Sequence, residues 1–345
     1  MSRTATTERP QSVAAQITVT SVEDISPSFR RLRVASPELA QCTPELIGDG
    51  AEITCRDAYL KLLVPPPGCE PVRPDLSRGI QEWFALPSSQ RGWLRTYTAR
   101  SARWIELDGQ RVPEVTIDIA MHERDSGPGG LWASAARPGS TAYLMAPARD
   151  VPLWASWDPG EAHRVVAVGD ETAAPALISI AEQLLARRPE LRADVIIEVP
   201  DAQDAAAYPP ASLPRAGADA RTTAGAVADA DTAAEDGPRL RLHMLARGED
   251  RLLGHPASER LAEILSLPRA AVEEVLAGQR PTPPTGETGI LWSLADSTAR
   301  NGTYIFLAGE ASCVKAWRRL CVDAGGYPKD SVSFMGYWRR GRAES

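Results

Sequence analysis

Val115, Ile117, Ile119 and Met121 alternate with Thr116, Asp118 and Ala120, the period-two pattern of a strand with one buried face. A second β-forming run, Ile53 to Val64, mixes β-branched and aromatic residues and stops at Pro65-Pro66-Pro67-Gly68, which no strand can continue through. Short strands punctuated by Pro and Gly predict a small antiparallel β-barrel for the first half. Pro71 to Gly92 interrupts it, with Trp83 and Phe84 able to dock on its surface. Near residue 160 the pattern changes. Arg164 to Val168 is a short apolar run ending at Gly169-Asp170. Leu177, Ile180, Ala181, Leu184 and Leu185 follow at helical spacing, with Pro175 tolerated because it lies near the helix start. Further apolar runs at Asp194 to Val199, Leu240 to Leu245 and Tyr304 to Ala308 alternate with amphipathic stretches, among them Ser312 to Ala324 before Gly325. Strands alternating with helices predict a doubly wound parallel sheet for the second half.

The chain of 345 residues is long enough for two domains, expected at 1–158 and 159–345. Its 43% hydrophobic and 24% charged residues are ordinary for a globular protein. Ala211 to Gly237, rich in Ala, Asp, Gly and Thr, has too few large apolar residues to offset its ordering entropy and is expected to be a disordered insertion. Gly278 to Gly289 is expected to be a second loop. No long apolar run or signal-peptide core is present, so no membrane association and a cytoplasmic location are expected. A net charge of -7 argues against a nucleic-acid partner. Cys42, Cys55, Cys69, Cys313 and Cys321 include no CxxC and are expected to be reduced and mostly buried, and the four histidines are scattered. Neither set suggests a metal site, so any redox chemistry needs an organic cofactor.

The most informative tract is Arg95-Thr96-Tyr97-Thr98-Ala99-Arg100. It supplies two guanidinium forks suited to phosphate, a ring that can stack on a heteroaromatic plane, and a hydroxyl for that plane's edge. In a strand, Arg95 and Tyr97 face one side while Thr98 and Arg100 face the other, so convergence requires a bend or an end-on ligand. The same residues also suit a plain surface strand with solvated arginines.

The tract resembles the RxYT/S flavin motif of the ferredoxin-reductase superfamily, and its RxYTxR form is similar to the siderophore-interacting protein family of flavin-dependent ferric-siderophore reductases. Four other blocks fit that family in order. They are Asp57 to Pro65; Asp118 to Ser134 with Gly127-Pro128-Gly129-Gly130-Leu131-Trp132-Ala133; Gly169-Asp170-Glu171-Thr172; and Ala308-Gly309-Glu310-Ala311 with Gly336 to Gly341. The resemblance implies a flavin-binding barrel followed by a nucleotide-binding α/β domain, together ferredoxin-reductase-like. It implies that Arg95 and Arg100 contact flavin phosphate or ribityl groups, that Tyr97 packs on the isoalloxazine, and that Thr98 bonds its polar edge. The Gly-rich turn lets the N–H groups of Leu131, Trp132 and Ala133, after Gly130, face the FAD pyrophosphate. The family more often has small residues and an Arg before the Trp, where this chain has Gly130-Leu131. His122 is expected to flank the adenine.

The GxGxxG fingerprint is absent, and the resemblance instead puts Asp170 and Thr172 beside the flavin and the nicotinamide. Asp170 or Thr172 also suits a helix N-cap. The resemblance also implies that Gly309 and Glu310 form a second turn that helps receive NAD(P)H, and that Trp338 covers a flavin face. Lys61 and Arg339 are expected to attract an anionic ferric siderophore. The expected protein is a monomeric flavin-dependent oxidoreductase: FAD takes electrons from NAD(P)H, or from ferredoxin, and reduces the chelated Fe(III). No protein acid, base or nucleophile is required. Two other readings are an NAD(P)H-flavin oxidoreductase with a non-iron acceptor and a non-catalytic siderophore-binding module.

Overall fold

The computed structural model of the protein describes residues 11–76, 80–121, 127–215, 239–278, 292–295 and 302–341. The expectations for His122, for residues 216–237 of the insertion and for the loop after Gly278 lie outside the described residues. Two compact units divide at Ser156 and Trp157.

Among the described residues, the first unit has eight strands: β1 (Ser12–Ser26), β2 (Phe29–Ala35), β3 (Ile53–Thr54), β4 (Tyr59–Val64), β5 (Trp93–Thr98), β6 (Ser101–Leu107), β7 (Gln110–Ala120) and β8 (Thr141–Pro147). They pair antiparallel in the order β3-β6-β7-β2-β1-β8-β4-β5. The alternation in β7 puts Val115, Ile117 and Ile119 into a core with Ile17, Leu32, Leu60, Leu62 and Leu144. Its acidic positions are buried as well, and each is answered by a cation. Asp118 accepts two bonds from Arg31, at 2.7 and 2.8 Å, and Glu114 accepts one from Arg103 at 2.7 Å. The run from Ile53 to Val64 is not one strand, because Arg56 at φ 55° turns the chain between β3 and β4. Helices α1 (Pro44–Ile47), α2 (Gln81–Ala85), α3 (Ser88–Arg91) and α4 (Pro128–Ala135) complete the unit. Trp83 on α2 docks as its composition suggested, against Ala14, Leu63, Tyr143 and Met145 on the sheet's other face. The Arg91 guanidinium lies 4.8 Å from its ring centroid.

The second unit carries β9 (Arg164–Gly169), β10 (Arg192–Val199), β11 (Leu240–Ala246), β12 (Trp292–Ser293), β13 (Thr303–Glu310) and β14 (Val332–Trp338), in the order β11-β10-β9-β13-β14-β12. All pairings are parallel except the short β12 edge, which runs antiparallel to β14. The helices are α5 (Ala174–Arg187), α6 (Ala202–Ala207), α7 (His255–Ile264), α8 (Arg269–Ala277) and α9 (Ala311–Arg319). Pro175 sits in the first turn of α5, where its missing N–H costs nothing. After α9 a π-helical turn, Leu320–Ala324, ends with the Gly325 N–H donating to the Leu320 carbonyl at 2.9 Å. Strand order reverses between β9 and β13, the switch point where doubly wound sheets place ligands.

Candidate functional site

In the first unit, β5 is an edge strand whose Arg95 and Tyr97 stand opposite Leu62 and Leu60 of β4, on the core side of the sheet. Of the two ways for the Arg95 to Arg100 tract to converge, a bend or an end-on ligand, a bend occurs directly after β5. The Ala99 N–H still bonds the Ala58 carbonyl at 2.8 Å, whereas the Arg100 N–H bonds Thr116 of β7 at 2.9 Å. The chain therefore crosses from one strand partner to another within two residues. Thr98 and Arg100 are buried at this corner, and Arg95 and Tyr97 are half-buried.

The start of α4 closes on the same strand. A Cβ added at Gly129 would lie 2.1 Å from the Tyr97 Oη, 3.2 Å from its Cζ and 3.4 Å from the Arg95 Cγ, so only glycine lets the helix approach so closely. Gly127 is the N-cap and supplies no side-chain bond, and Pro128 has no N–H. The Leu131 N–H donates to the Gly127 carbonyl at 3.0 Å. The donors at the helix mouth are thus those of Gly129 and Gly130, two residues before the Leu131, Trp132 and Ala133 groups expected from sequence. Leu131 points its side chain out at 59% exposure, Trp132 packs on the barrel core and Ala133 is buried.

Lys61 occupies the opposite face of the β4–β5 pair from Arg95 and Tyr97. Its Nζ donates to the Thr96 Oγ1 at 2.7 Å and lies 5.3 Å from the Tyr59 ring centroid. Tyr59 stacks on Trp154 at 5.6 Å, and burial, helped by the Asp57 charge, pushes its phenol pKa up.

In the second unit, Asp170 follows β9 and is fully buried. Its Oδ1 accepts from the Thr172 N–H at 2.9 Å, the Thr172 hydroxyl at 2.6 Å and the Ala173 N–H at 3.4 Å. Its Oδ2 accepts from the Glu310 N–H at 2.6 Å and from the Trp338 Nε1 at 2.9 Å. One carboxylate thus caps the turn into α5 and joins the ends of β9, β13 and β14. Gly309, at φ 142°, presses against it: a Cβ there would lie 2.6 Å from the Asp170 Oδ2. Glu310 caps α9 by accepting from the Ser312 and Cys313 N–H groups at 2.7 and 3.2 Å, and it also accepts from the Arg340 N–H at 3.3 Å. Asp170, Thr172, Gly309, Glu310 and Trp338 therefore converge, and Arg339 follows Trp338 half-buried.

Sequence reasoning missed the neighbours of this cluster. Glu198 is fully buried and accepts from the Gly254 and Ala257 N–H groups at 2.8 and 3.1 Å. Arg247 bridges Glu198 at 2.8 Å and Glu171 at 3.5 Å. Burial, reinforced by the Asp170 charge, pushes the Glu171 carboxyl up to about 7. The available signal was a carboxylate inside the apolar run Asp194 to Val199, a position that a buried strand gives to a charge only when it is paired.

The grouping in the first unit suits a flat ligand bearing phosphates, and the comparisons with known proteins agree. Residues 18–151 match the family described as Siderophore-interacting FAD-binding domain, and residues 162–341 match that described as Siderophore-interacting protein. The chain belongs to the siderophore-interacting protein family. Its fold is shared by a siderophore utilization protein from T. fusca, with TM-score 0.56 and 23% identity over 96% of this chain and 95% of that one. A siderophore-interacting protein from Aeromonas hydrophila gives 0.52 and 21%, over 96% and 100%. A stretch of 128 residues is 30% identical to an uncharacterized protein of Mycobacterium tuberculosis, covering 37% of this chain and 41% of that relative. The match therefore spans about two fifths of the curated relative's length. Among the described residues of this siderophore-interacting protein, no helix is long and apolar enough to cross a membrane.

The residues present fit the FAD that the family implies. The glycine cradle against Tyr97 is shaped for a close backbone approach, the N–H groups of Gly129 and Gly130 with Arg95 form an anion-favouring donor set, and the Tyr97 ring supplies an aromatic surface beside it.

Proposed function

We propose that this siderophore-interacting protein binds FAD in its first unit and reduces ferric siderophores to release Fe(II) in the cytoplasm. The observation that carries the reading is the contact of the α4 start with Arg95 and Tyr97, which only Gly129 permits. FAD held there would supply the redox chemistry that couples a donor, NAD(P)H or ferredoxin, to the one-electron reduction of Fe(III).

The chain's own residues bind and orient. Arg95 and the N–H groups of Gly129 and Gly130 hold phosphate by charge-assisted bonds, with Arg100 at the corner supplying the second fork. Tyr97 stacks along the flat ring, and the buried Thr98 hydroxyl orients its polar edge. Lys61 and Arg339 raise the local concentration of an anionic chelate. In the second unit, Asp170 fixes the plane of the Trp338 indole by accepting from its Nε1. Gaining one electron changes no proton count at iron, so no side chain need act as acid or base. Fe(II), less charged than Fe(III), is held less tightly by a hard oxygen-rich chelator and leaves.

Arg95→Ala is expected to weaken FAD retention by about 1.5–3 kcal/mol, read by titrating the flavin-free protein with FAD. Lys61→Glu is expected to raise the half-saturating concentration of an anionic ferric siderophore at unchanged flavin content. Protein that takes up no FAD refutes the reading, and a Lys61→Glu change confined to flavin content refutes the substrate role of Lys61.

A further inference from the structure

The β4–β5 pair has two faces. Arg95 and Tyr97 take the core side, whereas Tyr59 and Lys61 stand on the other, opposite Thr98 and Thr96 in the strand register. Other large rings of the first unit are packing elements: Tyr97, Trp104 and Trp132 lie against the barrel core, and Trp83 fills the cluster across the sheet. Tyr59 and Trp154 instead stack on each other, with centroids 5.6 Å apart and planes 27° from parallel, and both stay half-buried. The backbone holds this stack in place. The Tyr59 N–H donates to the Trp154 carbonyl at 2.9 Å, and two residues further on the Ser156 N–H donates to the Asp57 Oδ2 at 2.7 Å. Asp57 is itself buried, so the segment that carries Trp154 is fastened to the start of β4 at two points.

A cation completes the face. The Lys61 Nζ lies 5.3 Å from the Tyr59 ring centroid, and its bond to the Thr96 Oγ1 at 2.7 Å steadies a flexible side chain beside the rings. Burial, and then the Asp57 charge, raises the Tyr59 phenol, so its hydroxyl stays a neutral donor and adds no negative charge. Two pre-ordered aromatic surfaces next to one ammonium suit a ligand that is flat, aromatic and anionic. An aliphatic hydroxamate or carboxylate brings no ring to meet them. The face also begins beside the proposed seat of the flavin, because Thr98, which orients the flavin's polar edge in that reading, stands directly opposite Tyr59.

We propose that Tyr59, Trp154 and Lys61 form a subsite for an anionic aromatic ring of the substrate, so that the protein selects ferric chelates built from catecholates or phenolates over those built from aliphatic hydroxamates or carboxylates. The inference rests on the ferric-reductase reading and names its substrate class. The two rings supply the selectivity, and Lys61 supplies an attraction common to any anionic chelate. Asp57 acts through the Ser156 N–H as a positioning residue for Trp154.

The test uses the full chain with bound FAD and chelates of Ga(III), which carries the charge of Fe(III) but takes up no electron, so that binding is read apart from reduction. Titration calorimetry compares gallium catecholate with gallium citrate, both anionic and only the first aromatic. The wild type is expected to bind the catecholate more tightly. Trp154→Leu is expected to weaken catecholate binding by roughly two- to tenfold and so to bring the two chelates closer. Trp154→Phe, which keeps a smaller ring, gives an intermediate loss and serves if the leucine variant fails to fold. Lys61→Gln is expected to weaken both chelates. Citrate bound as tightly as catecholate by the wild type, or catecholate and citrate weakened equally by the Trp154 changes, overturns the proposal. If catecholate binds selectively but the dithionite-reduced protein passes no electrons to its ferric counterpart, the reductase reading falls and the ring subsite stands. If ferric chelates are reduced and the Trp154 changes leave catecholate binding as it was, the substrate class alone falls.

Discussion

Gly129→Ala separates a helix-propensity effect from a ligand-site effect. Alanine in the first turn of α4 is favoured over glycine by about 0.8–1 kcal/mol. Its methyl carbon, however, would start 2.1 Å from the Tyr97 Oη, where ordinary contact begins at 3.4 Å. The two must part by 3.4 − 2.1 = 1.3 Å, by movement of the phenol or of the helix start. Overpacking of this kind costs roughly 1–3 kcal/mol, so net fold stability falls by about 0–2 kcal/mol and the chain still folds. The flavin site suffers more, because ring and donors move apart. Losing an aromatic contact of about 0.5–1.5 kcal/mol predicts FAD binding weaker by roughly two- to tenfold. Titration of flavin-free protein gives the dissociation constant, and urea denaturation gives the stability. A second background sharpens the test. In Tyr97→Phe the hydroxyl is gone and the nearest atom is Cζ at 3.2 Å, only 0.2 Å inside ordinary contact. Gly129→Ala should therefore cost FAD affinity less there than in the wild type. An equal penalty in both backgrounds, or an affinity unchanged by Gly129→Ala, would refute the cradle.

Glu171 gives a pH dependence of definite sign. Its carboxyl, raised by burial and then by Asp170 from 4.5 to about 7, holds a proton more tightly in the folded chain than in the unfolded one. Its contribution to stability is therefore complete below about pH 4.5 and is lost as pH rises toward 7. Glu171→Gln should flatten that decline and make the protein more stable than wild type at pH 8. Urea midpoints that show no gain there would contradict it. The cysteines give a count: burial pushes Cys42, Cys55 and Cys321 up to about 12 and raises Cys313 too, while Cys69 is exposed. A thiol reagent should titrate one group in the native chain and all five after denaturation, and two or more fast native groups would be inconsistent with this packing.

Both sheets were legible because their strands announce themselves by period: β7 through the alternation at Val115, Ile117 and Ile119, β9 and β13 as unbroken apolar runs. The two-residue strands β3 and β12 were not, since two residues carry no period and their place depends on partners far along the chain. The same limit hid the break at Arg56, where a left-handed residue interrupts a tract of suitable β composition. At the candidate site, sequence named the residues of the Arg95 tract and required a bend or an end-on ligand. Only the structure locates that bend at Ala99 and Arg100, because it depends on the change of partner from β4 to β7. The cradle was assigned two residues late for a related reason: which N–H groups stay outside a helix depends on where its first turn closes, here on Gly127.

The three helix starts considered above explain why one chain can bind anions selectively. Each offers the same partial positive charge, and the residues beside it decide whether a ligand or the protein satisfies it. At α4 the sequence Gly127-Pro128-Gly129-Gly130 brings no side chain to the helix mouth and lets Tyr97 approach. At α9, Glu310 follows Gly309 and its carboxylate bonds the first-turn N–H groups that a phosphate would seek, whereas Asp170, after Gly169, bonds the Thr172 and Ala173 N–H groups of the turn ahead of α5. The first choice leaves binding capacity for an external anion. The second converts it into rigidity that ties together the ends of β9, β13 and β14. Glycine against carboxylate at these turns thus separates an open helix mouth from one already satisfied by the protein's own side chain.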